Sequence, residues 1–230
     1  MDKHSPLAVS AAMFALAIRA KRDILQTLFY ATRSNAADAW AFHKRLENLE
    51  HKREGGGFVV SPGNIMPRHE LVNAKTAAEA TAQDSALALM LIVDYSLQRF
   101  HDAAAIDTRT IGDELADGVK LNAVIWALAN QARHLHEWQR CGTDKLEANP
   151  SVKIIRALKH DPLNPNVARE VLCGLEIGSY VDFEEMLLTT AHEALKGSGS
   201  ILALVTAGTF ILDADRETPD LPAVAESEAT

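Results

Sequence analysis

The sequence predicts an all-α protein: a helical bundle built on a long antiparallel helix hairpin, with a Gly-rich loop or small hairpin near residues 54–66. Apolar residues recur at helical spacing along most of the chain, and no region alternates apolar and polar residues as a half-buried strand does. Of the 230 residues 47% are apolar, which is enough for one core. We therefore predict a single helical domain over residues 1–212.

The amino-terminal segment opens with a helix-start signal at Ser5-Pro6, because a serine hydroxyl caps free N–H groups and proline suits the first helical position. The apolar run from Pro6 to Ile18 passes without a break into basic residues, which favours a continuing amphipathic helix over a cleaved signal peptide. Ser34 and Asn35 are candidate caps of a second segment. Residues 6–53 thus form either one helix or two.

Residues 54–67 interrupt the helical pattern. Three glycines, Gly55-Gly56-Gly57, precede the β-prone triplet Phe58-Val59-Val60, and a Pro-Gly turn follows. This composition predicts a loop with a small hairpin. The Lys-Ser/Thr ending of a phosphate-binding loop is absent, so the glycines do not indicate nucleotide binding.

Two long helices are predicted next, one from about residue 67 to 105 and a second from Thr110 to about Arg140. Thr110 with Asp113 resembles a capping box, and the link between the helices would then be only a few residues long. Such a short link predicts an antiparallel hairpin. With residue 107 as the turn centre, positions 130–137 would face the polar residues of segment 77–84, namely Glu79, Gln83 and Asp84.

The last third is predicted to form shorter helices that start at Asn149-Pro150, Asp161-Pro162 and Asn164-Pro165. The apolar run Ile201 to Leu212 has 12 residues, fewer than the roughly 20 that span a bilayer, so no membrane contact is expected. Residues 213–230 are acidic, and their composition predicts a disordered tail.

Charge and cysteine content narrow the function classes. A net charge of −8 disfavours a uniformly basic nucleic-acid-binding protein, but residues 1–53 carry +4, which indicates either a solvated basic face or a surface for phosphate or an acidic partner. Two cysteines, Cys141 and Cys173, are too few for a disulfide framework, so a cytoplasmic location is expected. No His-Glu-x-x-His occurs, and we expect neither a metal nor a cofactor.

The richest set of reactive side chains lies between Trp126 and Trp138. On a helix, Asn130, Arg133, His134 and Glu137 share the face opposite an apolar stripe, and we call them the polar stripe. These residue types suit phosphodiester cleavage: His134 would transfer a proton, Arg133 would hold the phosphate, and Glu137 with Asn130 would orient them. The same residues equally suit a structural network that ties helices together.

The string Trp-Ala-x-Ala-Asn-x-x-Arg-His-x-x-Glu-Trp at 126–138 resembles a segment of uncharacterised bacterial helical proteins, some of which are similar to the HEPN superfamily. That resemblance implies an all-helical bundle of bacterial defence or toxin type that acts on RNA as a homodimer. The superfamily separates its Arg and His by four to six residues, whereas His134 follows Arg133 directly. The resemblance therefore implies the polar stripe as the functional cluster without the intact superfamily motif.

Two functional hypotheses follow. One is a metal-independent ribonuclease that uses Arg133 and His134, with RNA as its partner. The alternative is a non-catalytic helical interaction or dimerisation protein whose polar stripe is a structural network.

Overall fold

The computed structural model of the protein describes residues 6–52, 58–116 and 118–196, and within these ranges it is an all-α bundle, as predicted. Its helices are α1 Pro6–Arg19, α2 Arg22–Leu49, α3 Ile65–Ala104, α4 Leu121–Trp138, α5 Thr143–Ala148, α6 Pro150–Ala157, α7 Val167–Gly174 and α8 Tyr180–Leu195. Two short antiparallel β-hairpins lie between helices. One, between α2 and α3, pairs β1 His51–Lys52 with β2 Phe58–Val59, and the other, between α3 and α4, pairs β3 Glu114–Ala116 with β4 Val119–Lys120.

A long antiparallel hairpin is present, but α2 and α3 form it, whereas the prediction placed it between the helix at about 67–105 and the helix that follows it. At one end the Lys21 ammonium donates to Ser96 Oγ over 2.8 Å, and at the other Arg68 Nε donates to Glu50 Oε1 over 2.6 Å. These pairs fix the two helices in opposite directions. The β1–β2 hairpin connects them where the sequence predicts a loop or small hairpin, although the glycines at 55–57 lie outside the described residues.

The amino-terminal segment forms two helices, and the break lies at Ala20-Lys21. Ser34 and Asn35, the predicted caps of a second segment, are instead inside α2, where the Asn35 amide donates to the carbonyl of Ala31 over 2.8 Å. Helix α1 also packs against α3, at the end of α3 that lies beyond its contact with α2. There the rings of Phe14 and Phe100 stack with centroids 5.2 Å apart.

The connection between α3 and α4 differs from the prediction. The segment 105–120 contains a left-handed residue at Ala105, a 3-10 turn at 108–110 and the β3–β4 hairpin, so α4 begins at Leu121 and not at Thr110. The predicted short link and the predicted capping box of Thr110 and Asp113 were therefore wrong. Asp107 instead caps the 3-10 turn, where its side chain accepts the Arg109 N–H over 3.1 Å.

The short helices α5 to α8 complete the bundle. The Asn149 side chain caps α6 by accepting the Ser151 N–H over 2.9 Å, which confirms one of the three predicted starts. Asp161-Pro162 and Asn164-Pro165 lie in the loop between α6 and α7. Helix α8 returns to the amino-terminal helices, where the Arg22 guanidinium meets Glu184 at 2.8 Å.

One hydrophobic core runs through the described residues from α1 to α8, and it includes the stacked rings of Phe29 and Phe183. None of the helices in the described ranges is long and apolar enough to cross a membrane. The apolar run 201–212 and the acidic tail 213–230 lie outside the described residues.

Candidate functional site

Helix α4 carries the polar stripe and runs antiparallel to α3. Its first half is buried on nearly all sides, because Leu121, Val124, Ile125 and Leu128 face the core. Its second half emerges toward solvent from Asn130 onward. The polar stripe therefore begins inside the bundle and ends on its surface.

The central contact of the site joins Arg133 to a buried carboxylate on α3. The Arg133 Nη2 lies 2.7 Å from Asp94 Oδ2, and the Asp94 side chain is only 1% exposed whereas that of Arg133 is 36% exposed. The Gln98 amide donates to the same Asp94 oxygen over 2.6 Å. A buried carboxylate needs hydrogen-bond donors to replace its lost hydration, and Arg133 and Gln98 supply them to Asp94.

Burial raises the pKa of the Asp94 carboxyl above its ordinary value, and hydrogen bonds from Arg133 and Gln98 act in the opposite direction. The rise means that desolvation of the carboxylate outweighs the stabilisation that its cationic partner supplies. Asp94 thus depends on Arg133 to stay charged inside the bundle.

Asn130 extends this contact to a third helix. Its Oδ1 lies 3.4 Å from Arg133 Nη1, and its Nδ2 donates to Ser151 Oγ on α6 over 3.1 Å. A continuous chain of polar contacts therefore runs from Asp94 on α3 through Arg133 and Asn130 on α4 to Ser151 on α6. We call this chain the Asp94–Ser151 network.

His134 and Glu137 lie apart from that network. His134 Nδ1 is 3.1 Å from Glu137 Oε2, and the two side chains are 45% and 60% exposed. His136 approaches the same carboxylate at 3.9 Å. The structure thus divides the polar stripe into a partly buried pair, Asn130 and Arg133, and an exposed pair, His134 and Glu137.

The residues expected opposite the polar stripe are elsewhere. Gln83 accepts the backbone N–H of Arg169 over 3.0 Å, and Glu79 lies 3.4 Å from Lys75. The error follows from the segment 105–120, which delays the start of α4 and so shifts its register along α3. Arg133 consequently meets Asp94 and not the segment 77–84.

Beside Asp94 lies a cleft that the sequence did not indicate. Its cavity of about 200 Å³ is bordered by Trp126 and Arg109, whose guanidinium carbon is 4.9 Å from the centre of the indole ring. Asp107 binds Arg109 in turn through an Nε–Oδ1 contact of 2.8 Å, and this contact raises the pKa of Arg109 and lowers that of Asp107. Arg109 and Asp107 are therefore paired with each other, while Asp94 is paired with Arg133.

A buried asparagine organises the segment between α3 and α4. The Asn122 amide nitrogen donates its two hydrogens to the carbonyls of Thr108 and Ile111 over 3.1 and 2.9 Å, and the Thr190 hydroxyl donates to Asn122 Oδ1 over 3.2 Å. Nothing in the local sequence distinguishes this asparagine from a surface residue, because its partners lie in a turn and on α8.

The described ranges contain no group of three His, Cys, Asp or Glu side chains that could hold a metal ion. No family model matches the chain. Neither the curated proteins nor the solved structures yield a match.

Proposed function

We propose that this protein is a non-catalytic helical interaction protein, in which the Asp94–Ser151 network is structural and the contact surface lies on α1. The observation that carries the first part is the 2.7 Å contact between Arg133 and Asp94. An arginine that holds a phosphate presents its guanidinium to the ligand, whereas this one neutralises a carboxylate of its own chain.

The contact surface is inferred from α1. Val9, Met13 and Leu16 are 50%, 61% and 46% exposed, and their spacing of four and three residues puts them in one stripe on the helix. The only polar side chain of α1 before Arg19 is Ser10, whose hydroxyl donates to the carbonyl of Pro6 over 2.8 Å. An exposed helix face without charge indicates a protein contact, and a second copy of this chain offers the same apolar stripe in return.

We expect Met13→Glu to weaken self-association by about tenfold or more, because a glutamate in the centre of an apolar contact loses its hydration. Sedimentation velocity over a range of protein concentrations measures this effect. The matched control is Thr76→Glu, which adds the same charge at an exposed position of α3. A wild type that stays monomeric at all concentrations would contradict the proposed contact.

The second candidate is a metal-independent ribonuclease of HEPN-like bacterial defence or toxin type. It is favoured by the exposed His134–Glu137 pair, since a carboxylate 3.1 Å from an imidazole orients it for proton transfer. Under this hypothesis Arg133 binds the phosphate through the solvent-exposed part of its side chain, which is 36% exposed.

We expect no cleavage when the wild type is incubated with RNA in the presence of EDTA, because Arg133 and His134 do not converge on one cleft. Gel analysis of the RNA checks this expectation. Cleavage that disappears in folded Arg133→Ala and His134→Ala variants would replace the interaction protein with the ribonuclease. Cleavage that persists in both would point to a contaminating nuclease.

A further inference from the structure

A second cleft lies away from the Asp94–Ser151 network, between α2, α3 and α7. Its cavity of about 380 Å³ is large enough for a small molecule. The wall from α2 consists of two alanines, Trp40 and His43, and the wall from α3 and α7 carries the charged side chains. The residues that border it are Ala36, Ala39, Trp40, His43, Lys75, Glu79, Arg169, Glu170 and Cys173.

Arg169 is the unusual group in this cleft. Its side chain is only 15% exposed, yet the nearest carboxylate oxygens, from Glu79 and Glu170, are 3.9 and 3.8 Å from its guanidinium nitrogens. Both distances are too long for hydrogen bonds. Within the described residues the guanidinium has no hydrogen-bond acceptor, although its backbone N–H is fixed by Gln83.

The two neighbouring carboxylates have other partners. Glu170 Oε1 accepts from the Asn164 amide over 2.9 Å, and its Oε2 lies 3.3 Å from His160 Nδ1. Glu79 Oε1 lies 3.4 Å from the Lys75 ammonium. An incoming oxyanion could therefore bind Arg169 without breaking a hydrogen bond of the protein. Glu79 and Glu170 compensate the charge of Arg169 at a distance, and the anion would supply the hydrogen-bond acceptor that the mostly buried guanidinium lacks.

The opposite wall offers an aromatic surface. Trp40 is 60% exposed, and the Lys44 ammonium lies 4.6 Å from the centre of its ring. An exposed indole stacks on planar bases. These residues belong to the segment 1–53, whose charge of +4 already indicated a surface for phosphate as one alternative.

We propose that this cleft binds a nucleoside monophosphate, with the base stacked on Trp40 and the phosphate held by Arg169. The arrangement fits this class because one ligand supplies both the hydrogen-bond acceptor that the Arg169 guanidinium lacks within the described residues and a planar partner for the exposed ring. The assignment goes beyond the interaction function and is independent of it, since neither self-association nor RNA cleavage enters the measurement that tests it.

Isothermal titration calorimetry with adenosine 5′-monophosphate tests the proposal. Adenosine and inorganic phosphate serve as probes of the base and of the anion alone. We expect the nucleotide to bind about tenfold or more tightly than either fragment, because only the nucleotide contacts both walls. No heat of binding for the nucleotide at millimolar concentration, or equal affinity for inorganic phosphate, would overturn the proposal.

Variants assign the contacts. Arg169→Gln and Trp40→Ala are each expected to weaken nucleotide binding about tenfold or more, whereas Arg156→Gln, which removes an exposed arginine outside the cleft, is expected to leave it unchanged. Trp40 is largely exposed, so Trp40→Ala should remain folded. It therefore tests the cleft even if circular dichroism shows that Arg169→Gln is unfolded. Unaltered binding in Trp40→Ala, or an equal loss in Arg156→Gln, would refute the assignment.

Discussion

Arg133→Met is expected to lower the free energy of unfolding by about 3 kcal/mol, because it leaves the Asp94 carboxylate buried without its cation. This is the low end of the range for a broken buried pair, since Arg133 is 36% exposed. Urea denaturation followed by circular dichroism measures the change. Methionine keeps most of the apolar stem of arginine, so the loss reports the charge and its hydrogen bonds.

His134→Ala is the matched control, because the neighbouring side chain points away from the network and its pair with Glu137 is exposed. We expect it to change the free energy of unfolding by no more than about 0.5 kcal/mol. The double variant Asp94→Leu/Arg133→Met should recover most of the loss, since an apolar pair requires no compensation. Equal losses in Arg133→Met and His134→Ala would show that the Asp94 contact has no special weight.

Asn122→Ala is expected to lower the free energy of unfolding by about 3 kcal/mol, because it leaves the buried carbonyl of Thr108 and the partly buried carbonyl of Ile111 without this donor. The same substitution removes the side-chain contact to Thr190 on α8. Thermal and chemical denaturation check the expected loss. The effect should be cooperative over the whole bundle, since Asn122 joins the α3–α4 segment to α8.

Thr190→Val provides the comparison, because it removes a single partner of Asn122 and leaves the carbonyl contacts in place. We expect a loss of about 1 kcal/mol, typical of one hydrogen bond. Gly112 shows how closely the segment packs here, since its φ is +95° and an added Cβ would lie 2.9 Å from Asn122 Nδ2. If Asn122→Ala were no more harmful than Thr190→Val, the asparagine would not organise this segment.

Local sequence signals predicted the helices well where one helix alone determines the pattern. The expected helix from about residue 67 to 105 corresponds to α3 at Ile65–Ala104, and Asn149 caps α6 as its place before a proline indicated. Capping and apolar spacing act within a few residues, so one sequence is enough to detect them.

The partners across the bundle were harder to predict. The register of α4 on α3 depends on the length of the ordered segment between them, and the predicted start at Thr110 placed Arg133 against the wrong part of α3. The break at Ala20-Lys21 likewise carries no proline or glycine. The importance of Arg169 arises from distances to carboxylates on two helices, which no spacing in the sequence encodes.

The position of α3 at the centre of the bundle also has a consequence for the order of assembly. Contacts between α2 and α3 begin with partners 18 residues apart, Glu50 and Arg68, and extend to partners 75 residues apart, Lys21 and Ser96. Each contact brings the next pair closer, so the entropy of closing the loop is lost mainly once. The contact between Arg22 and Glu184 joins residues 162 apart, and about 88 residues of chain remain to be closed even after Lys21 has met Ser96. We therefore expect α8 to dock last and to set the rate at which the folded protein appears.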